Sequence, residues 1–565
     1  MIQFFTKYNS NYKFLSIQSI LLFLLLNTFL SDFYCRKDLS RENRFNLTDS
    51  TEQTLKNLPE ILFIDAYFSS DIPGEHKARI GLTKELIKEI ASRNKAKVQL
   101  RFYDPDSSES IKRKAEEAGI KAVTLEKQEI GSASIKQAYF GIKLTVGSKS
   151  AVIPVAYMAE SIEYQILTTL KKSLSKNTSS GVAILKTKGV FNAPDPQQTN
   201  GYGLGKDTFG VFIHMAFAQE NGNVPEINLN EEPITEDIKT IFIVGAPELN
   251  EKGKYYLDQF LMRGGNLVYF AKMFQFQMGG GRASMMMGGG QEGLAQPDPQ
   301  AEILNTFFSN YGFEIKKDMI LEPEESYAVV DIFQQLQGRA SEAMHYPLWV
   351  MARKDSKMIH PSSIFTKNTQ ALLLPWSSSI EIKSDKQPSV QFTTLIESTS
   401  NADKRSDFIL VSEDKVAKQT MNPQNTKFPL VVHIEGSFKS SFSKETIPKD
   451  VTEVFLDKTR ENKKSQILVF GTPYLLSDML VMNDSYSNLY KKYNMTFMLN
   501  LFDILNGDTE LLASRSKQSY TKNLKNVSKT EKFIYSFINI LFLPIGVSLY
   551  ALFRLKKRNS SRGII

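Results

Sequence analysis

The side chains in this chain best suited to acid–base or metal chemistry are its five histidines, His76, His214, His345, His360 and His433, and no two stand at metal-ligand spacing. His214 follows the apolar run Val211-Phe212-Ile213, so an ordinary packed histidine is expected there, and the other four read as surface or loop residues. Asp104 and Asp106 flank Pro105 just after a strand pattern, where two carboxylates could hold a cation or divide acid and base roles. Asp-Pro-Asp also satisfies the backbone of a turn, and a turn is the expectation. Gly201-Tyr202-Gly203-Leu204-Gly205 looks like a phosphate loop but follows no clear strand, so it reads as a plain loop. Met285-Met286-Met287, set between Gly279–Gly281 and Gly288–Gly290, offers soft sulfur without a histidine or cysteine nearby. A flexible loop is the first reading of that segment and a partner contact the second. Cys35 is the single cysteine, which rules out an internal disulfide, a Cys-x-x-Cys pair and a cysteine zinc site. The chain has neither the Gly-x-x-x-x-Gly-Lys-Ser/Thr of a P-loop ATPase nor the Gly-x-Ser-x-Gly of a nucleophile elbow. No catalytic residue, cofactor site or metal site is therefore expected.

At 565 residues the chain is too long for one core, and units of roughly 100–200 residues predict about three. A net charge of +8 comes largely from the ends, where Lys7 and Lys13 open the chain and Arg554, Lys556, Lys557, Arg558 and Arg562 close it. Such a pattern says membrane flank before nucleic acid. Phe14–Tyr34 is a mostly apolar stretch long enough to span a bilayer. Leu30-Ser31-Asp32-Phe33-Tyr34 is a poor cleavage site and Tyr34-Cys35 a poor lipobox, so an uncleaved anchor is expected over a cleaved signal or a lipoprotein. Phe533–Phe553 carries no charged side chain, and its Pro544 and Gly546 suit a membrane helix better than a soluble one. Two spans put both termini on one side, expected to be the cytoplasm of a bacterial cell, with the large middle in the periplasm.

Between the spans, strand and helix patterns alternate. Glu60–Phe68, Val98–Tyr103 and a hairpin of Gln137–Val146 with Ser150–Val155 read as strands, and Glu75–Arg93, Ile111–Ala118 and Ala159–Ser173 as helices. This order is the thioredoxin-type arrangement, placed over residues 55–175, without the dithiol that would make it a redox catalyst. After the linker at 176–181, a second α/β unit over 181–515 contains Thr240–Gly245, the helix Lys252–Met262 with Gly264-Gly265 as its stop, and Asn266–Phe270. One strand–helix–strand of that kind implies a parallel sheet. Gln370–Trp376 and Val390–Ile396 suggest a β-rich insertion between Ser326 and Phe442, and Gln466–Gly471 is a late strand.

An ordered set of segments resembles a known family. RKDLSRENRFNLTDSTEQTLKNL (36–58), IFIVGAPELNEKGKYYLDQFLMRGGNLVYF (241–270), KFPLVVHIEGSFKSSF (427–442), QILVFGTPYLLSDML (466–480) and NMTFMLNLFDILNGDTELLASRSK (494–517) are similar, in this order, to the GldG-like auxiliary components of ABC-type transport systems, named for gliding motility. The resemblance implies a class I glutamine amidotransferase-like (flavodoxin-like) central domain with a β-rich insertion, flanked by transmembrane helices at 14–34 and 533–553. That scaffold's enzymes need a cysteine at a strand–helix elbow; here the strand turns through Ala246-Pro247-Glu248, so activity does not carry over. The implied role is a non-enzymatic accessory subunit beside an ABC-2-type permease and a cytoplasmic ATPase. A stand-alone periplasmic binding or scaffold protein is the alternative, and a hydrolase on the amidotransferase-like scaffold comes last.

Overall fold

Alternating apolar residues make Leu62–Phe68 a strand whose Leu62, Ile64, Ala66 and Phe68 are buried, and the core of the described residues from 46 to 174 is built around it. The computed structural model describes residues 17–23, 46–129, 132–174, 181–200, 203–218, 224–277, 294–330, 343–406, 409–411, 416, 420–451, 453–482, 484–507, 509, 511–516 and 529–562. They fall into two units, Met1–Lys517 and Gln518–Ile565.

The first region of the larger unit runs α1 (Asp49–Lys56), β1 (Leu62–Phe68), α2 (Gly74–Ser92), β2 (Val98–Tyr103), α3 (Glu109–Glu117), β3 (Ala122–Glu129), β4 (Ser132–Val146), β5 (Lys149–Ile153) and α4 (Ala159–Leu174). β1 pairs in parallel with β2 and antiparallel with β4, and β4 is long enough to pair with β5 at one end and β3 at the other. β3 is the strand that reading by pattern missed, because only Ala122, Val123 and Leu125 of its eight residues are apolar. Helix α3 stops where expected: Gly119 takes φ +86, its N–H reaches Glu116 O, and Ile120 N–H reaches Ala115 O, which closes the last turn with two bonds.

The second region is organised by a seven-stranded sheet. Its strands are β6 (Val182–Leu185), β7 (Glu226–Ile227), β8 (Thr240–Gly245), β9 (Asn266–Ala271), β10 (Val390–Glu397), β11 (Pro429–Gly436) and β12 (Ser465–Phe470). They lie in the order β10-β11-β12-β9-β8-β6-β7. β7, β6, β8, β9 and β12 are mutually parallel, so the parallel part has the doubly wound order 2-1-3-4-5. β10 and β11 extend it antiparallel. Every residue of β8 and β9 is buried, as covering a parallel sheet on both faces requires. Between these two strands α5 (Glu251–Met262) is capped by the Asn250 side chain, which accepts from Gly253 N, and ends in Gly264 (φ +99) and Gly265.

The stretch Ser326–Phe442, expected as a β-rich insertion, is divided. Ser326–Val330, Ala343–Arg353 and Ala371–Pro375 form a separate three-stranded sheet, but Val390–Glu397 and Pro429–Gly436 belong to the main sheet, the former as its outermost strand. Apolar runs show that a strand exists and not which edge it joins. The larger unit closes with α6 (Thr496–Leu505) and α7 (Leu511–Ser516). Arg515 on α7 is buried over the Tyr164 ring of α4, 4.1 Å from its centroid, and paired at 2.8 Å with Asp503 of α6.

The second unit holds α8 (Lys529–Arg562), within which Thr530–Lys557 is long and apolar enough to cross a membrane. It is the one such helix among the described residues. Of the expected N-terminal span, residues 17–23 are helical and the rest of Phe14–Tyr34 lies outside the described residues, so two spans remain an expectation.

Candidate functional site

In open α/β sheets ligands bind outside the carboxyl ends of the strands, at the point where strand order reverses. Here that point lies between β6 and β8, and the chain closes it. Residues after β6 fold back over the end of β8, with Phe191 N donating to Val244 O at 2.8 Å and Ala246 N to Gly189 O at 2.9 Å. Gly189 has φ +81, and a Cβ there would sit 2.0 Å from the Ala246 carbonyl oxygen, so only glycine permits this approach.

The helical turn Val211–Phe217 starts beside the same edge. Asp478, which follows β12, is fully buried and accepts from Thr208 Oγ1 at 2.6 Å and from Gly210 N and Val211 N at 2.9 Å each. Burial pushes its pKa up against these hydrogen bonds. In nucleotide-binding α/β folds a phosphate takes such backbone donors; in this chain an internal carboxylate does.

Outside Asp478, Asp207 is gripped by two ammonium groups, Lys206 Nζ at 2.7 Å and Lys272 Nζ at 3.3 Å. Burial works to raise the Asp207 pKa, yet Lys272 and Lys206 together hold it below the usual carboxylate value. Burial lowers that of Lys206. Lys206 Nζ lies 4.9 Å from the Phe276 ring centroid and 5.0 Å from that of Tyr474. Tyr474 packs in turn on Trp376 and Phe191, and burial with the Asp207 carboxylate pushes its phenol well above the ordinary value. Trp376 sits at φ +49 and donates its indole N–H to Tyr346 Oη at 3.1 Å. The crevice is thus filled with aromatic rings and with the internally paired Lys206, Asp207 and Lys272.

Open space lies at the other end of the sheet, where clefts of about 390 and 550 Å³ share His360 and Thr393. His433 on β11 lines the smaller one, with Nε2 3.1 Å from Gln466 Oε1 and its ring 4.6 Å from Phe365. Burial lowers its pKa. His360 Nδ1 accepts from Ser363 N at 3.1 Å.

The histidines therefore divide. His360 and His433, distant in sequence, share one cleft, while His214 is half-buried against Ala193 O at 2.9 Å, as a packed histidine should be. His76 Nδ1 lies 2.5 Å from Tyr157 Oη, and His345 is exposed beside Ser326. Asp104 and Asp106 form the expected turn and also bind the loop after β1, accepting from Ser70 N and Asp71 N respectively. Gly205 joins the Asp478 network through Thr208 Oγ1, while Gly201 and Tyr202 lie outside the described residues, as do Cys35 and Met285–Met287. Among the described residues no three His, Cys, Asp or Glu side chains converge on a metal position. Lys206, Asp207, Lys272, Tyr474 and Asp478 escaped sequence reading. The one available signal was position, since Lys272 directly follows one apolar strand and Tyr474 comes four residues after its parallel neighbour.

Fold and site define a mixed α/β protein with a doubly wound sheet whose ligand crevice is filled from within. Residues 194–501, more than half of the chain, match the auxiliary family described as "ABC-type uncharacterized transport system", and the chain belongs to that family. It is thereby an auxiliary component of an ABC-type transport system. Residues 41–145 match a domain of unknown function (DUF7088). An "Uncharacterized protein" of Borreliella burgdorferi is 22% identical over 539 residues, covering 93% of each chain. The solved "mmIFT52 N-terminal domain" is 13% identical and covers 57% of this chain and 96% of its own, with a TM-score of 0.29, too low to transfer a fold.

Proposed function

We propose that this chain is a non-enzymatic, extracytoplasmic accessory subunit of the GldG-like kind, standing beside an ABC-2-type permease and its cytoplasmic ATPase. In this reading it is held in a bacterial inner membrane by 14–34 and 533–553, with both termini cytoplasmic and the body in the periplasm. Residues 55–175 form a thioredoxin-like domain and 181–515 an amidotransferase-like one, each kept as a rigid scaffold. The observation that carries the reading is the filled crevice. Asp478 occupies the backbone donors and Tyr474, Trp376 and Phe276 occupy the space, while the elbow Gly245-Ala246-Pro247-Glu248 offers no nucleophile. A hydrolase on this scaffold has nowhere to place its chemistry at that edge.

The test is purification of the full-length protein from its native membrane in mild detergent. Permease and ATPase in near-equal amounts support the reading; their reproducible absence from intact protein sinks it. One observation favours the alternative of a stand-alone periplasmic binding or scaffold protein, namely the open cleft lined by His360 and His433. A ligand recovered from that cleft without any transporter component would promote it.

A further inference from the structure

β10 is the outer edge of the main sheet, and among the described residues half of it is covered. Glu397 N donates to Met358 O at 3.0 Å and His360 N to Leu395 O at 2.9 Å, so Met358–His360 runs antiparallel along the carboxyl half of the strand. At Pro361, which has no N–H, this segment leaves. The rest of the edge, Val390–Thr394, faces the 550 Å³ cleft.

The direction of its backbone groups follows from the register. Gly471 N donates to Leu430 O, so on β11 the groups of Leu430 and Val432 point to β12 and those of Val431, His433 and Glu435 point to β10. His433 is opposite Thr393 and Glu435 opposite Gln391. Phe392 and Thr394 therefore turn their N–H and C=O groups outward, into the cleft. Val390–Thr394 is uncharged and free of proline, with β-branched residues at three of its five positions, and the register shift that could blunt this edge follows Thr394, toward the covered half.

Both signs line the cleft, Lys357 and Glu397, but they differ in pairing. Glu397 is paired with Lys427 at 2.5 Å and Glu435 with Lys464 at 3.4 Å, whereas Lys357 has no carboxylate partner among the described residues. His360 and His433 add no negative charge.

We propose that Val390–Thr394 is a docking edge that takes an extended, acidic segment of another polypeptide as an added antiparallel strand, continuing the ladder that Met358–His360 begins. Main-chain bonds to Phe392 and Thr394 hold the segment, and a carboxylate on it meets Lys357. The inference rests on the accessory-subunit reading only in that it gives such a subunit a contact with its partner.

The test uses full-length protein in its native membrane, with a photo-crosslinking phenylalanine analogue at Gln391, an exposed position on the strand. The expected adduct is a peptide of another protein with Asp or Glu within about three residues of the link. Thr394→Pro, which removes an outward N–H and leaves the bonds to β11 in place, should cut its yield about tenfold. Lys357→Glu should cut it about threefold through charge alone, with melting unchanged. An adduct on a second copy of this chain, one indifferent to both substitutions, or no polypeptide adduct at all overturns the proposal. If permease and ATPase copurify and no adduct forms, the edge fails and the accessory reading stands. If the adduct forms as described while permease and ATPase are reproducibly absent from the intact protein, the edge stands and the accessory reading fails.

Discussion

The two ends of the main sheet treat space in opposite ways. At the carboxyl edge of the parallel strands, loops after β6, β9 and β12 converge, and the concavity their topology creates is packed with Phe191, Phe276, Trp376 and Tyr474 and sealed by Asp478. Along the antiparallel end, β10 is half covered and a cleft stays open beside it. Crossover connections returning over a parallel sheet bring many side chains to one edge, whereas an antiparallel extension ends in an unpaired strand with little to cover it. A filled first place and an open second one are what the proposed accessory role calls for.

If this contrast is sound, substitutions at the closed end should cost stability and those at the open end should not. The largest effect is expected for Gly189→Ala, which places a methyl group on the Ala246 carbonyl at a left-handed φ and should cost about 2–4 kcal/mol, read as a lower melting temperature of the full-length protein in detergent. Asp478→Ala takes the acceptor from the buried Gly210 N and Val211 N, for a loss of about 2–3 kcal/mol in the same assay. A stability within experimental error of wild type would mean that the crevice is not held shut by this carboxylate.

His433 gives a pH test at the open end. Burial lowers its pKa, so the folded state binds fewer protons than the unfolded one. Its contribution is complete above the ordinary histidine value, about 6.5, and is lost as pH falls below it toward the folded value. A series of melts from about pH 7.5 to 5.5 should slope downward with acid, and His433→Gln should flatten that slope. The smallest effect belongs to His360→Ala, expected within about 0.5 kcal/mol of wild type because its ring lines open space. A loss as large as that of Asp478→Ala would break the comparison.

Much of the fold was legible along the chain. Thr240–Gly245 and Asn266–Ala271 announced a buried parallel pair by their unbroken apolar runs, and Gly119 and Gly264 marked helix ends that the structure places at positive φ. The site was not legible. Lys206 and Asp207 lie in a loop with no motif, and Lys272 and Tyr474 look like ordinary residues after strands. His360 and His433 were read as isolated because nothing in their spacing relates them. β3 was missed because a strand half exposed to water need not be apolar.

The division follows from the range of the forces involved. Periodicity, helix stops and apolar runs act over a few residues, so the sequence by itself determined most of the strands and helices, and that Phe533–Phe553 suits a bilayer. Neighbour order in the sheet, the capture of Gly210 N by a carboxylate 268 residues away, and the half-covered edge of β10 were decided by tertiary structure alone. Contacts at such separation depend on how loops close over a finished sheet, and no local pattern encodes that outcome.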